Sequence, residues 1–172
     1  MANLIVYYSR RGQNYWNGSI VDLAKGNTER VAEFVQKAVG GDLFEIETVR
    51  EYSKDYMTCT EEAKAELRES ARPKLKKYLD SVDQYDTIFV GYPNWWGTMP
   101  MAVKTFLDGC DLSGVTIVPF CTNEGSGLGG SVGDLRRSYP AATVLDGLSV
   151  RGTDAARSTG KAVAWAKRSI GA

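Results

Sequence analysis

The sequence predicts a three-layer, doubly wound α/β domain built on a five-stranded parallel sheet. Three observations carry this. Short continuous apolar runs recur along the chain, and segments with helical spacing separate them. Most of the runs are continuous rather than alternating, which marks strands buried on both faces. The length, 172 residues, suits one domain spanning 1–172, which buries roughly 70% of its unfolded surface. Helical crossovers between parallel strands are right-handed, so helices cover both faces of the sheet.

The elements follow in order. Leu4–Tyr8 is an apolar strand. Val31, Phe34, Val35, Ala38 and Val39 then share one helical face. Asn27 or Thr28 is expected to cap that helix and Gly40-Gly41 to end it. Leu43–Thr48 alternates and reads as the second strand. Thr60–Arg72 is rich in Ala, Glu and Lys, which predicts an exposed helix stopped at Pro73. Thr87–Tyr92 is the third strand, closed by Pro93. Pro100 suits the first turn of a helix carrying Val103, Phe106, Leu107 and Cys110 on one face. Val115–Cys121 is the fourth strand, with Pro119 expected at an end or a bulge. A glycine-rich loop and a short helix with Leu128, Val132 and Leu135 follow. Thr143–Leu145 and Leu148–Val150 form a fifth strand interrupted at Gly147. Thr153 or Asp154 opens the last helix, with Ala155, Ala162, Val163, Ala166 and Ile170 on one face.

Composition narrows the function. Hydrophobic residues at 43% and charged residues at 24% exclude a disordered or coiled-coil chain. Lys plus Arg and Asp plus Glu are both 21, so the net charge is zero. Neither nucleic acid nor a membrane surface is an expected partner. Histidine is absent. That excludes Ser-His-Asp and Cys-His catalysis and any His-ligated metal site. Cys59, Cys110 and Cys121 are odd in number and lack C-x-x-C spacing, which suits free thiols in a reducing compartment. No metal site and no catalytic side chain are expected. The start of the chain lacks the charged and small-residue regions of a signal peptide, and no apolar run reaches the ~20 residues of a membrane helix. The expected location is cytoplasmic. Asn17-Gly18-Ser19 matches a glycosylation acceptor but is taken as a polar loop.

In such a sheet ligands bind beyond the carboxyl ends of the strands, so the loops there carry the information. Ser9-Arg10 follows the first strand, and Gly26-Asn27-Thr28 opens the first helix. Hydroxyls and an amide at a helix N-terminus favour a phosphate dianion, although the same residues would serve as ordinary caps. Pro93-Asn94-Trp95-Trp96-Gly97 follows the third strand. Its two tryptophans suit stacking on a flat heterocycle. The plainer alternative is one ring packed on the sheet and one exposed. Thr122 to Gly130 follows the fourth strand, and its glycines allow close backbone approach to a ligand. Gly125-x-Gly127-x-x-Gly130, with Asp146 further on, also satisfies a dinucleotide-binding pattern. That pattern leaves the first two loops unexplained. A phosphoacceptor receiver is excluded by Ser9-Arg10 and Tyr92-Pro93 where acids are required, and the phosphate-binding G-x-x-x-x-G-K-[ST] pattern is absent.

Together these segments resemble the flavodoxin-like family. The chain carries Tyr8-Ser9-Arg10, Gly26-Asn27-Thr28, Gly91-Tyr92-Pro93-Asn94-Trp95-Trp96-Gly97-Thr98-Met99-Pro100, and Phe120-Cys121-Thr122 followed by Gly125-Ser126-Gly127-Leu128-Gly129. The resemblance implies a sheet of order 2-1-3-4-5 and bound FMN. It implies that Ser9, Asn27 and Thr28 hold the FMN phosphate, with a backbone N–H and charge from Arg10. Pro93, Asn94, Trp95, Trp96 and Gly97 would border the ring. Thr122, Gly125, Ser126 and Gly127 would flank its other edge and the ribityl chain. Relative to a short phosphate loop, the 13 residues Gln13–Lys25 are an insertion, expected to fold over the cofactor or the substrate entrance.

Two functions follow from the resemblance. One is a small FMN-dependent oxidoreductase that passes electrons from NAD(P)H to a quinone or other small acceptor. The other is an electron carrier for redox partner proteins. Carriers steer encounter with charge, so zero net charge favours the enzyme, while the lack of a recognisable nicotinamide site favours the carrier. Neither reading fixes whether the chain is a monomer or a homodimer. Cys121 falls beside the expected cofactor, but no activating cation neighbours it in sequence, so it is read as a buried thiol.

Overall fold

The computed structural model describes residues 2–172. Strand β1 (Ala2–Tyr7) leads into a hairpin of β2 (Gly12–Trp16) and β3 (Ser19–Leu23). Helix α1 (Asn27–Val39), β4 (Asp42–Glu45), α2 (Tyr56–Glu69) and β5 (Tyr85–Pro93) follow. Then come α3 (Met101–Asp108), β6 (Thr116–Asn123), α4 (Ser131–Ser138), β7 (Thr143–Val144) and β8 (Leu148–Arg151). A 3₁₀ turn (Gly152–Arg157) precedes α5 (Thr159–Ser169). The main sheet is parallel in the order β4-β1-β5-β6, with β7 and β8 both pairing with β6. Counted along the five expected strands, this is 2-1-3-4-5. The fifth position is split in two. The break lies beside Pro119, which sits within β6 rather than at its end and has no N–H to offer the ladder.

Alternate residues of the central strands feed two cores. Leu4, Val6, Ile88, Val90, Tyr92 and Ile117 pack with Val103, Phe106 and Leu107 of α3 and Leu135 of α4. On the other face Ile5, Tyr7, Phe89, Val118 and Phe120 pack with Val31, Ala32 and Val35 of α1 and Ala162, Trp165 and Ala166 of α5. Both faces are covered, as continuous apolar strands require.

Several local expectations are corrected. Helix α1 is capped neither by Asn27 nor by Thr28. Its N-cap is Gly26, and the Ser9 hydroxyl accepts the Glu29 N–H at 3.1 Å in place of a local cap. Helix α2 begins four residues before Thr60, because Asp55 caps it by accepting from the Thr58 N–H at 2.9 Å. It ends at Glu69, with Ser70 in the left-handed region. It is not exposed throughout, since Cys59 and Ala63 are buried. Thr153 and Asp154 lie in the 3₁₀ turn, not in α5, and Trp165 rather than Val163 joins the buried face. Gln13–Lys25 contains most of the β2–β3 hairpin, with Asn17 and Gly18 at its corner.

Candidate functional site

The carboxyl ends of β1, β5 and β6 lie side by side, and the three expected loops meet there. After β1 the chain reaches Ser9 and Arg10, leaves into the hairpin and returns at Gly26. The return is tight. A Cβ on Gly26 would lie 2.0 Å from Ser9 Oγ and 2.7 Å from the Arg10 carbonyl oxygen, so only glycine fits. The Arg10 guanidinium does not point free into solvent. Its Nε donates to the Gln13 carbonyl at 2.8 Å, and its Nη2 donates to the Ser53 and Lys54 carbonyls at 3.0 and 3.1 Å. It thereby ties the hairpin base to the segment before α2, and Arg10 shares a cavity wall with Asn27 at the start of α1.

The loop after β5 is braced by Asn94. Its Oδ1 accepts the Gly97 N–H at 2.9 Å, and its Nδ2 donates to the Gly127 carbonyl at 2.9 Å. Trp95 and Thr98 pair across a two-residue corner made by Trp96 and Gly97, with φ of 58° and 87°. Tryptophan in the left-handed region is strained by roughly 1–2 kcal/mol. The two tryptophans have different lives. Trp95 packs edge-on against Tyr8 at 5.2 Å and Tyr52 at 5.1 Å between ring centroids. Trp96 is 49% exposed. Its Nε1 donates to the Thr60 carbonyl at 2.8 Å, and Lys64 Nζ lies 5.0 Å from its ring centroid.

After β6, Thr122 is buried, and its hydroxyl pairs with that of Thr28 at 2.7 Å, joining α1 to the sheet end. Burial pushes the Cys121 thiol up to about 12, so it stays protonated at neutral pH. Glu124 is nearly buried and reaches Arg151 Nε through Oε2 at 3.4 Å. Its Oε1 is buried and has no hydrogen-bond partner among the described residues.

Two adjoining cavities result. The first, about 190 Å³, is polar and opens beside the first turn of α1. Of the expected site residues, Arg10, Asn27, Pro93, Asn94, Trp95, Thr122 and Ser126 line it. Asn14, Tyr15, Tyr56, Asn123, Glu124 and Gly152 complete the wall without having been expected. The second, about 410 Å³, shares Arg10, Tyr15, Tyr56, Asn94 and Trp95 with the first. It adds Trp96 and the apolar side chains Ile20, Met57, Cys59 and Ala63. Ser9, Thr28, Gly97, Gly125 and Gly127 line neither cavity. Ser9 and Thr28 each make an internal hydrogen bond, Gly97 and Gly127 join the Asn94 brace, and the Gly125 N–H donates to Asn123 Oδ1 at 2.9 Å. The hairpin does reach the site, through Asn14, Tyr15 and Ile20. Tyr15 lies nearly parallel to Tyr56 at 6.3 Å. A larger cavity of about 600 Å³ lies on the other side of Ser9-Arg10. Its wall mixes Asp22, Glu45, Glu47 and Glu51 with Arg10, Arg11, Lys54 and Lys76, and neither Trp95 nor Trp96 reaches it.

The residues present fit a flavin nucleotide. The positive end of α1, the Arg10 charge and the Asn27 amide favour an anionic group. The unpartnered Glu124 oxygen calls for a ligand donor such as a hydroxyl. The apolar cavity has room for a flat ring.

A family model described as flavodoxin matches residues 20–167. This chain belongs to the flavodoxin family. Solved structures of flavodoxins and related flavoproteins share its parallel α/β fold. A candidate flavoprotein of Bacteroides eggerthii aligns with a TM-score of 0.78 at 30% identity, over 99% of this chain and 98% of its own. One of Bacteroides uniformis aligns with a TM-score of 0.78 at 29% identity, over 96% and 97%. A Lactobacillus acidophilus flavoprotein in complex with FMN has the same fold, with a TM-score of 0.62 at 20% identity over 93% and 97%. No curated protein matches in sequence. No helix of this flavodoxin, among the described residues, is long and apolar enough to cross a membrane.

Proposed function

We propose that this flavodoxin, acting as one domain over 1–172, binds FMN between its three loops. Its activity is then that of a small oxidoreductase that passes electrons from NAD(P)H to a quinone or other small acceptor. The observation that carries this is the pair of adjoining cavities. One is polar and sits at a helix N-terminus, and the other is apolar and walled by the hairpin and α2. The FMN-bound Lactobacillus acidophilus protein of the same fold supports the choice of flavin.

In this reading Asn27 and the first turn of α1 hold the phosphate, and the Arg10 charge adds to their attraction. Thr122, Ser126 and the nearby backbone flank the ligand on the β6 side. Trp95, fixed by Tyr8 and Tyr52, is a rigid wall for a flat ring. FMN would supply hydride and single-electron chemistry at its own ring, and the protein's task is to bind, orient and tune it. The chain's own groups stay out of the chemistry. The Cys59 thiol at the apolar wall is pushed up to about 11 by burial and offers no thiolate at neutral pH. Asn94 is consumed in bracing the loops. Tyr15, Ile20, Tyr56 and Met57 line the route by which a small reactant would enter and keep a bulky partner at a distance.

The test is anaerobic. FMN-loaded protein is mixed with NADH and then with menadione or ferric cytochrome c. Bleaching by NADH and rapid recovery with menadione is the expected result. No reaction with NADH, together with rapid exchange with the protein acceptor after dithionite, would make the chain a carrier and overturn the reductase reading.

A further inference from the structure

Glu124 is a carboxylate where the fold favours an added anion. It follows β6 directly, and its side chain turns toward the start of α1 rather than outward. Two features hold it there. Arg151 Nε contacts Oε2 at 3.4 Å. Gly152 leaves the space: a Cβ at that position would meet Asn27 Nδ2 at 2.5 Å and Glu124 Oε1 at 3.0 Å. Asn27 and Glu124 therefore converge on one bare stretch of backbone at the edge of the polar cavity.

Oε1 is a buried side-chain oxygen with no partner among the described residues. A carboxylate oxygen withdrawn from water without a donor is costly, so such atoms usually mark a place where a donor arrives. The Asn27 amide, which shares that stretch of backbone, does not bond to it. The cavity in front of it is the one that would hold the ligand's linker and phosphate.

We propose that Glu124 is a ligand-positioning residue whose Oε1 accepts a hydrogen bond from a hydroxyl of the ribityl chain. This rests on the flavin reading. The partner is a polyol hydroxyl because, between the ring and the phosphate, hydroxyls are the groups of the ligand that donate. A phosphate dianion offers only acceptors and would be repelled by the same charge. Arg151 holds the carboxylate in place and offsets part of that repulsion. Glu124 thereby selects a hydroxylated linker between ring and phosphate.

The sign of one effect separates this from a bystander charge. If Glu124 merely sat near the phosphate, its removal would tighten FMN. If it accepts a hydroxyl, its removal loosens FMN by about tenfold, the effect of one hydrogen bond to a charged group. The experiment measures FMN dissociation constants, by quenching of flavin fluorescence, for the wild type, Glu124→Ala and Glu124→Gln. Circular dichroism checks that each is folded. Glu124→Ala is expected to bind about tenfold more weakly. Glu124→Gln keeps an acceptor oxygen and is expected within about threefold of wild type. Unchanged or tighter binding by Glu124→Ala overturns the proposal, as does Glu124→Gln no better than Glu124→Ala. Wild type that does not bind FMN overturns the flavin reading itself and this assignment with it.

Discussion

Replacing Gly26 by alanine tests whether the β1–α1 junction is as tight as its contacts imply. The backbone of Gly26, at φ −66° and ψ 153°, is comfortable for alanine, so conformational strain contributes little. The cost is contact. The new Cβ would lie 2.0 Å from Ser9 Oγ and 2.7 Å from the Arg10 carbonyl oxygen. Ser9 can rotate away, but it then abandons the Glu29 N–H, at a cost of about 1 kcal/mol as for a lost N-cap. The Arg10 carbonyl belongs to the backbone and can yield only if the loop shifts, which adds about 2 kcal/mol by the usual range for overpacking. The sum is about 3 kcal/mol, or a fall in Tm of about 9 °C for a chain of this length. Thermal unfolding without added FMN reads it, so that binding does not contribute. Gly160→Ala is the control. Gly160 lies in α5 with open space around its Cβ position, and alanine there should stabilise by about 0.5 kcal/mol. A Gly26→Ala protein that melts with the wild type would refute the reasoning.

Other outcomes follow from the same geometry. Thr28→Val strands the buried Thr122 hydroxyl and should cost about 1–2 kcal/mol in urea unfolding; Thr28→Val with Thr122→Val should cost less than the two single changes summed. Trp95→Ala removes a ring packed on Tyr8 and Tyr52 and should destabilise by about 3 kcal/mol, whereas Trp96→Ala, at an exposed corner, should cost under about 1 kcal/mol. The reverse order in thermal melts would contradict the division of roles between the two rings. Burial pushes the Cys59 and Cys110 thiols from 9.0 to about 11 and Cys121 to about 12. The unfolded chain releases these protons first, so between pH 9 and 11 it binds fewer than the fold, and stability declines as pH rises through that window. Ellman's reagent at neutral pH should accordingly modify native protein far more slowly than urea-unfolded protein; equal rates would show exposed thiolates.

The doubly wound frame was legible because its central strands are buried on both faces and the helices packed on them show an apolar stripe. Val31, Val35, Phe106 and Leu135 lie in the cores that their spacing implies. Arg10, Asn27, Trp95 and Thr122 were legible as site residues because position after a strand places them near the ligand crevice whatever their contacts. What hid was contact between distant residues. Thr28 and Thr122 are 94 residues apart, and nothing local shows that their hydroxyls bond to each other instead of to a ligand. Tyr56 fell outside the expected helix because its start depends on the Asp55 cap. Glu124 depends on Arg151 and on the missing side chain of Gly152. The hairpin had a readable signal. Asn17 and Gly18 both have positive φ, 48° and 89°, the corner that Asn-Gly favours between β-formers such as Tyr15-Trp16 and Ile20-Val21. Asn17-Gly18-Ser19, expected as a polar loop, is that corner.

The central claim is that the three loops form a flavin nucleotide site. Equilibrium titration of FMN into the protein, followed by flavin fluorescence and by tryptophan emission together, tests it most directly. Saturation at one FMN per chain is predicted, with the tryptophan signal quenched over the same range because Trp95 walls the cavity. No saturable binding, or binding that leaves tryptophan emission unchanged, would contradict the account.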